Sequence, residues 1–302
     1  MRRTICSIVL GLGLLVAPIT SQNVFASEKI TLHSAPLPLS AFKIRKLKAK
    51  GLSTEPKPGF ALDGYLFRPE GAGPHPAVIM NHDCRGIQTF QKNMGERLAE
   101  EGFVALLVDS YKTRNVAYGS VCKNIAEWAS RDFVGGRTRD IYGAAIWLMA
   151  QDFVKNDGIG VLGWDLDTSM ASVSLLGVYK EYPEIKIAAV VSNYPDCKRM
   201  GYGEFVAPVL IQTGAKSDWW GSRDCHVLKS DSAKTSPVPI ELVVFDEAGH
   251  GFDDPSVGDG YYIADAWNNR KVPAFGATFV YHQKSAKQAA NNAVSFFGKH
   301  LK

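Results

Sequence analysis

Three short stretches of this 302-residue chain hold residues that could do hydrolytic chemistry. In AGHGFDDP, residues 248–255, His250 stands between two glycines just after the apolar run 241–245. A histidine on a loop at the C-terminal end of a buried strand is well placed for acid–base work. Histidine as a residue type titrates near neutrality, which suits a proton shuttle. In TGAKSDWW, residues 213–220, Asp218 follows the apolar run 208–213 and precedes the histidine strand. That is the place of an acid that holds a histidine tautomer, with Asp224 as the fallback. In IGVLGWDLDTSM, residues 159–170, a buried strand runs into a helix, the setting of a nucleophile elbow. The usual elbow reads Gly-x-nucleophile-x-Gly. Here Gly163 and Trp164 lead to Asp165, which stands where the nucleophile belongs, and Asp167 replaces the second glycine.

The elements that must position these residues are readable from hydropathy. Runs at 77–80, 104–109, 159–164, 188–193, 208–213 and 241–245 are short and mainly apolar. Such runs fit strands buried on both faces, hence a parallel sheet. Helical spacing occupies 91–101, 137–151, 168–180 and 285–300. Residues 59–76 alternate and end in turn residues, which suggests antiparallel strands. Strand and helix alternate, so the expected fold is α/β, a mostly parallel sheet with helices on both faces.

These marks together resemble the dienelactone hydrolase family, within the α/β-hydrolase superfamily. The likeness runs from about Gly59 to Leu301. NHDCRG, residues 81–86, stands where the family has a His-Gly-x-x-Gly-like loop, with Asp83 in place of a glycine. GWDLDT aligns with a Gly-Trp-Ser-His-Gly-Gly-like elbow, and AGHGFDDP is similar to the family's histidine loop. AKQAANNAVSFFGKHL is similar to its closing helix.

The resemblance implies hydrolysis of a small ester, lactone or related electrophile by a triad at Asp165, Asp218 and His250. It also implies an oxyanion hole made by the backbone amides of Cys84 and Leu166. The departures at Asp83, Asp165 and Asp167 open two further readings. One is a catalytically inactive homologue acting as a binding or scaffold protein. The other is an Asp-nucleophile hydrolase of dehalogenase or epoxide hydrolase type. Ser169, one helical turn past the elbow, and Cys84 are weaker candidates for a nucleophile.

The N-terminus reads as a signal peptide over 1–26. Arg2 and Arg3 give a charged start, 8–17 is apolar, and Val24 and Ala26 fit the cleavage pattern. Residues 27–58, rich in Lys, Pro and Ser, read as an exported leader with room for an edge strand, and 59–302 as the hydrolase domain. The expected location is periplasmic or secreted. Four cysteines follow the signal: Cys84, Cys122, Cys197 and Cys225. Four cysteines allow three pairings, and the resemblance implies Cys84–Cys122 and Cys197–Cys225. The formal net charge is +4, and two of the positive charges fall in the signal. This gives no electrostatic case for nucleic acid. The expected partner is a small molecule, with no membrane partner once the signal is removed. No cofactor and no metal site are expected.

Overall fold

The computed structural model describes residues 27–124, 131–165, 169–174, 178–200, 204–268 and 270–302. The stretch 1–26 read as a signal peptide, Leu166 and Asp167 lie outside the described residues.

The centre of the molecule is an eight-stranded sheet in the order β1-β2-β4-β3-β5-β6-β7-β8. Its strands are β1 (Glu28–His33), β2 (Ala61–Phe67), β3 (His75–Asn81), β4 (Val104–Asp109), β5 (Val154–Trp164), β6 (Ile187–Asn193), β7 (Val209–Gly214) and β8 (Ile240–Phe245). From β4 to β8 every pairing is parallel, while β1–β2 and β2–β4 are antiparallel. The parallel strands are apolar on both faces because helices cover both. On one face Leu98 and Ala99 of α2 (Thr89–Glu100) and Ala289, Ala293, Phe296 and Phe297 of α5 (Gln283–Leu301) pack on Leu162 and Leu210. On the other, Ile141, Ala144, Ala145 and Leu148 of α3 (Arg131–Met149) and Leu228 of α4 (Ser222–Thr235) pack on Val161, Val209 and Ile211. A separate hairpin of β9 (Tyr261–Trp267) and β10 (Phe275–Phe279) follows the His250 loop.

The stretch read as leader is partly built into the sheet. β1 pairs with β2 over six residues, from Glu28↔Leu66 to His33↔Ala61, and forms the sheet edge. It is followed by α1 (Ala41–Lys48). The continuous helix expected over 168–180 is not formed. The described part has a short helix, Ser169–Ser172, and a 3₁₀ turn, Val178–Glu181. Ser174 leaves the helix to bridge Phe205, and the Ser172 hydroxyl donates back to the Ser169 carbonyl. Serines that bond the local backbone in this way weaken a helix.

Disulfides join Cys84 to Cys122 and Cys197 to Cys225, the pairing that the resemblance implied. They close loops of 38 and 28 residues, each worth roughly 3–4 kcal/mol in the chain-entropy account.

Candidate active site

The site is assembled at the C-terminal ends of β3, β5 and β8. Asp165 follows Trp164, the last residue of β5, and has a φ of 59°. A left-handed backbone at a non-glycine residue is the strained turn that an elbow requires. Asp165 thus has the backbone conformation expected of an elbow residue, and its side chain is a carboxylate.

That carboxylate is fully enclosed and well supplied with donors. Asp165 is 1% exposed. Its Oδ2 accepts from the backbone N–H of Cys84 at 3.2 Å. Its Oδ1 accepts from the indole Nε1–H of Trp220 at 2.7 Å. The Nε2 of His250 lies 3.2 Å from the same Oδ1, without the alignment of a hydrogen bond. His250 is wholly buried. Its ring is walled by Tyr194 at 4.7 Å, Phe279 at 4.8 Å and Trp219 at 5.0 Å between centroids.

Asp218 makes no hydrogen bond to His250, the contact expected of the triad. Its Oδ1 accepts from the Thr278 amide at 2.9 Å. Its Oδ2 accepts from the Thr278 hydroxyl at 3.0 Å and from Lys271 Nζ at 2.7 Å. The physical reason is the β9–β10 hairpin, which supplies these donors and which hydropathy alone did not reveal. Asp224 lies in the first turn of α4 and Ser169 in the short helix after the elbow. Neither bonds to His250, whose Nδ1 has no hydrogen-bond partner among the described residues. The Cys84 sulfur is locked in its disulfide, so only its amide faces position 165.

The buried charge of Asp83 is met by its own loop. Its carboxylate is wrapped by Arg85, which donates to it from the backbone N–H at 2.8 Å, from Nε at 3.1 Å and from Nη2 at 2.5 Å. Burial raises the Asp83 pKa; Arg85 opposes the shift and the charge of Asp165 adds to it. Arg85 also reaches Asp254 at 2.7 Å and stacks on Phe279, 4.3 Å from the ring centroid. It thereby ties the loop after β3 to the loop carrying His250. His82 is held as a neutral ring. Its Nε2 accepts from the Ser110 amide at 3.1 Å, so its Nδ1 carries the proton donated to the Asp83 carbonyl at 2.8 Å. Burial, aided by the charge of Arg137, pushes its pKa down to about 3. Asp83 is thus held within its own loop, and His82 links that loop to Ser110 after β4.

A second knot lies just beyond. Asp253 accepts from Trp164 Nε1 at 2.7 Å, Asn193 Nδ2 at 3.0 Å and the Tyr194 hydroxyl at 2.7 Å. Burial pushes its pKa up to about 6 despite these three hydrogen bonds. Asp253 and Trp164 also line a cavity of about 200 Å³ between α2 and α5, with Phe90, Met94, Asn193 and Ala289 on its walls. Sequence reasoning missed Trp220, Arg85, Asp253 and Asp254. The available signal was their adjacency to the motifs: Trp220 two residues past Asp218, and the pair Asp253–Asp254 in the histidine loop.

A mostly parallel sheet flanked by helices, with a strained turn after its fifth strand and a histidine loop after its eighth, defines an α/β hydrolase. The sequence profile of the dienelactone hydrolase family matches residues 62–301, and the chain belongs to that family. A Bradyrhizobium protein described as a probable 2-oxo-3-(5-oxofuran-2-ylidene)propanoate lactonase is 26% identical over 221 residues, covering 69% of this chain and 86% of the relative. Among solved structures, a dienelactone hydrolase-like promiscuous phosphotriesterase from metagenomic libraries superposes with a TM-score of 0.62 at 16% identity. The match covers 92% of this chain and all of that one. A dienelactone hydrolase from Anabaena variabilis gives 0.55 at 15% identity, with 92% of this chain and 100% of that chain covered. These two likenesses establish the fold.

Proposed function

We propose that this protein is a periplasmic or secreted member of the family that recognises a small molecule and does not turn over simple esters or lactones. One observation carries the reading. The carboxylate of Asp165 takes the Cys84 amide and crowds His250 Nε2. These are the donor and the base that serine-type chemistry would direct at a substrate. His250 also lacks a carboxylate on Nδ1 to hold its tautomer. The cavity lined by Trp164 and Asp253 supports recognition, because an apolar pocket with a few convergent polar groups is the usual form of a small-molecule site.

The test compares wild type with His250→Ala on p-nitrophenyl acetate and on a five-membered lactone. The expected result is no difference between them. Wild-type turnover that disappears with His250→Ala would overturn the reading. Ligand-observed NMR with a fragment panel then tests recognition, and Ala290→Phe, which fills the cavity wall, should remove the signal.

The Cys84 contact also favours a second reading, an aspartate nucleophile. In that chemistry Oδ1 attacks a carbon and expels a halide or opens an epoxide, leaving an ester on Asp165. Water then attacks the ester carbon, and negative charge develops on Oδ2, the oxygen that the Cys84 amide already holds. Against it, Oδ1 is engaged by Trp220 and is enclosed. Intact-protein mass after incubation with haloacids and epoxides separates the readings, since an adduct on the Asp165 peptide belongs only to this one.

A further inference from the structure

Helix α1 has an unusual construction for a surface helix. Both its ends are fixed by local signals. The Ser40 hydroxyl caps the Lys43 amide at 3.2 Å. At the other end Gly51 takes a φ of 64°. Its amide reaches the Lys48 carbonyl and the Leu52 amide reaches the Leu47 carbonyl, each at 3.0 Å. This is the left-handed closure that terminates a helix cleanly. Yet the helix contains no buried residue. Isolated short helices are marginal, and a helix in a protein is normally held by an apolar face packed on the core. Here only Ile44 and Leu47 turn partly inward.

What α1 presents to solvent is a dense cationic face with apolar points in it. Lys43, Arg45, Lys46, Lys48 and Lys50 are all exposed, and residues 41–50 contain no acid. None of the five has a carboxylate within ion-pairing distance among the described residues, whereas Lys29, Lys112, Arg114, Arg139 and Lys155 are all paired. At helical spacing Phe42 shares its face with Arg45 and Lys46, and it is 68% exposed. Leu52, held beside the last turn, is 54% exposed. Five unpaired cations around an exposed phenylalanine and leucine match one kind of partner. An anionic lipid surface offers phosphates to the cations and an apolar boundary to the two side chains. A soluble anion would leave Phe42 and Leu52 without a role.

We propose that α1 docks this protein peripherally on an anionic lipid bilayer, with the five cations on headgroup phosphates and Phe42 and Leu52 at the acyl boundary. The contact is interfacial and needs no spanning segment; no helix among the described residues is long and apolar enough to cross a membrane. The net charge conceals the patch because the rest of the chain is close to balanced. The inference is independent of the chemistry at Asp165.

Co-sedimentation with lipid vesicles tests it. Wild type should bind vesicles of phosphatidylcholine with about a third phosphatidylglycerol, and should bind pure phosphatidylcholine at least about tenfold more weakly. Raising salt to about 1 M should release it. Changing Lys43, Arg45, Lys46, Lys48 and Lys50 together to Gln should weaken anionic binding at least about tenfold, with an unchanged melting temperature because α1 buries none of them. Phe42→Ser with Leu52→Ser should weaken binding and leave the salt dependence in place. Absence of wild-type binding, equal binding to both vesicle types, or full binding by the five-Gln variant would each overturn the proposal. So would retention on heparin without vesicle binding, which would assign the patch to a soluble polyanion. The salt arm uses wild type alone, so the proposal stays testable if a variant fails to fold.

Discussion

Asp165 and Cys84 are 81 residues apart in sequence, and the Cys84 amide nitrogen lies 3.2 Å from Asp165 Oδ2. The amide that the family resemblance assigns to a developing oxyanion is thus engaged by a permanent anion from the same chain. With Trp220 on the other oxygen, the carboxylate acts as a bolt between the loops after β3, β5 and β7.

Removing the bolt should destabilise the protein. Asp165→Ala leaves the buried Cys84 and Trp220 donors without an acceptor, and each unsatisfied donor costs about 1–3 kcal/mol. A total loss of about 2–5 kcal/mol is expected in urea unfolding, with Asp165→Asn losing less because it keeps one acceptor. An Asp165→Ala variant as stable as wild type would show that the two contacts carry no weight.

Restoring the sequence of the elbow should not restore full activity. Asp165→Ser with Asp167→Gly supplies the missing hydroxyl and glycine. His250 still has no carboxylate at Nδ1, because Asp218 is held by Thr278 and Lys271. Loss of that carboxylate costs roughly 10⁴-fold in a complete triad. Any p-nitrophenyl ester activity of the double variant should therefore be weak and absent with His250→Ala added. Turnover typical of an intact triad would mean that Asp218 moves to His250 in solution.

Arg85 should be a stability residue. Arg85→Met strands the buried carboxylate of Asp83 and takes one partner from Asp254. Breaking a buried ion pair from one side costs about 3–5 kcal/mol. Adding Asp83→Asn should recover part of the loss, since the stranded charge is then gone. A double variant no better than Arg85→Met would place the effect in the Phe279 stacking instead.

Two buried carboxylates should contribute stability on mild acidification. Asp253 and Asp196 have pKa values raised by burial to about 6 from an ordinary 3.8. Between those values the folded state holds protons that the unfolded state has released. Their contribution to the unfolding free energy therefore increases as pH falls from about 7 to about 4, while His82, held at about 3 against an ordinary 6.5, opposes it because only the unfolded state takes up that proton. At Asp63, hydrogen bonds from Lys112 and Lys29 hold the pKa low; at Asp218, burial is outweighed by Lys271 and Thr278. Those two contribute stability that is lost only at lower pH, as each carboxylate protonates. Between about pH 7.5 and about pH 5, the change in melting temperature should be less favourable in Asp253→Asn than in wild type. An identical pH dependence in wild type and variant would remove Asp253 as a contributor.

The sequence by itself determined the sheet. Apolar runs such as 104–109 had to be buried on both sides, and burial on both sides selects parallel strands between helices. It also determined that position 165 lies on a strand-to-helix turn and position 250 on a loop beyond a strand, because each follows an apolar run directly. It concealed α1 and α4, whose few inward residues leave no strong period, and the β9–β10 hairpin, whose strands are half exposed. Only the tertiary structure decided the fate of the charges. Asp83, Asp165 and Asp218 read alike as site carboxylates. One is wrapped by Arg85 and one is bolted to Cys84 and Trp220. The third is drawn away by Thr278 and Lys271. A side chain's charge is fixed by its type, but its role depends on which donors reach it, and here most of those donors come from residues tens of positions away.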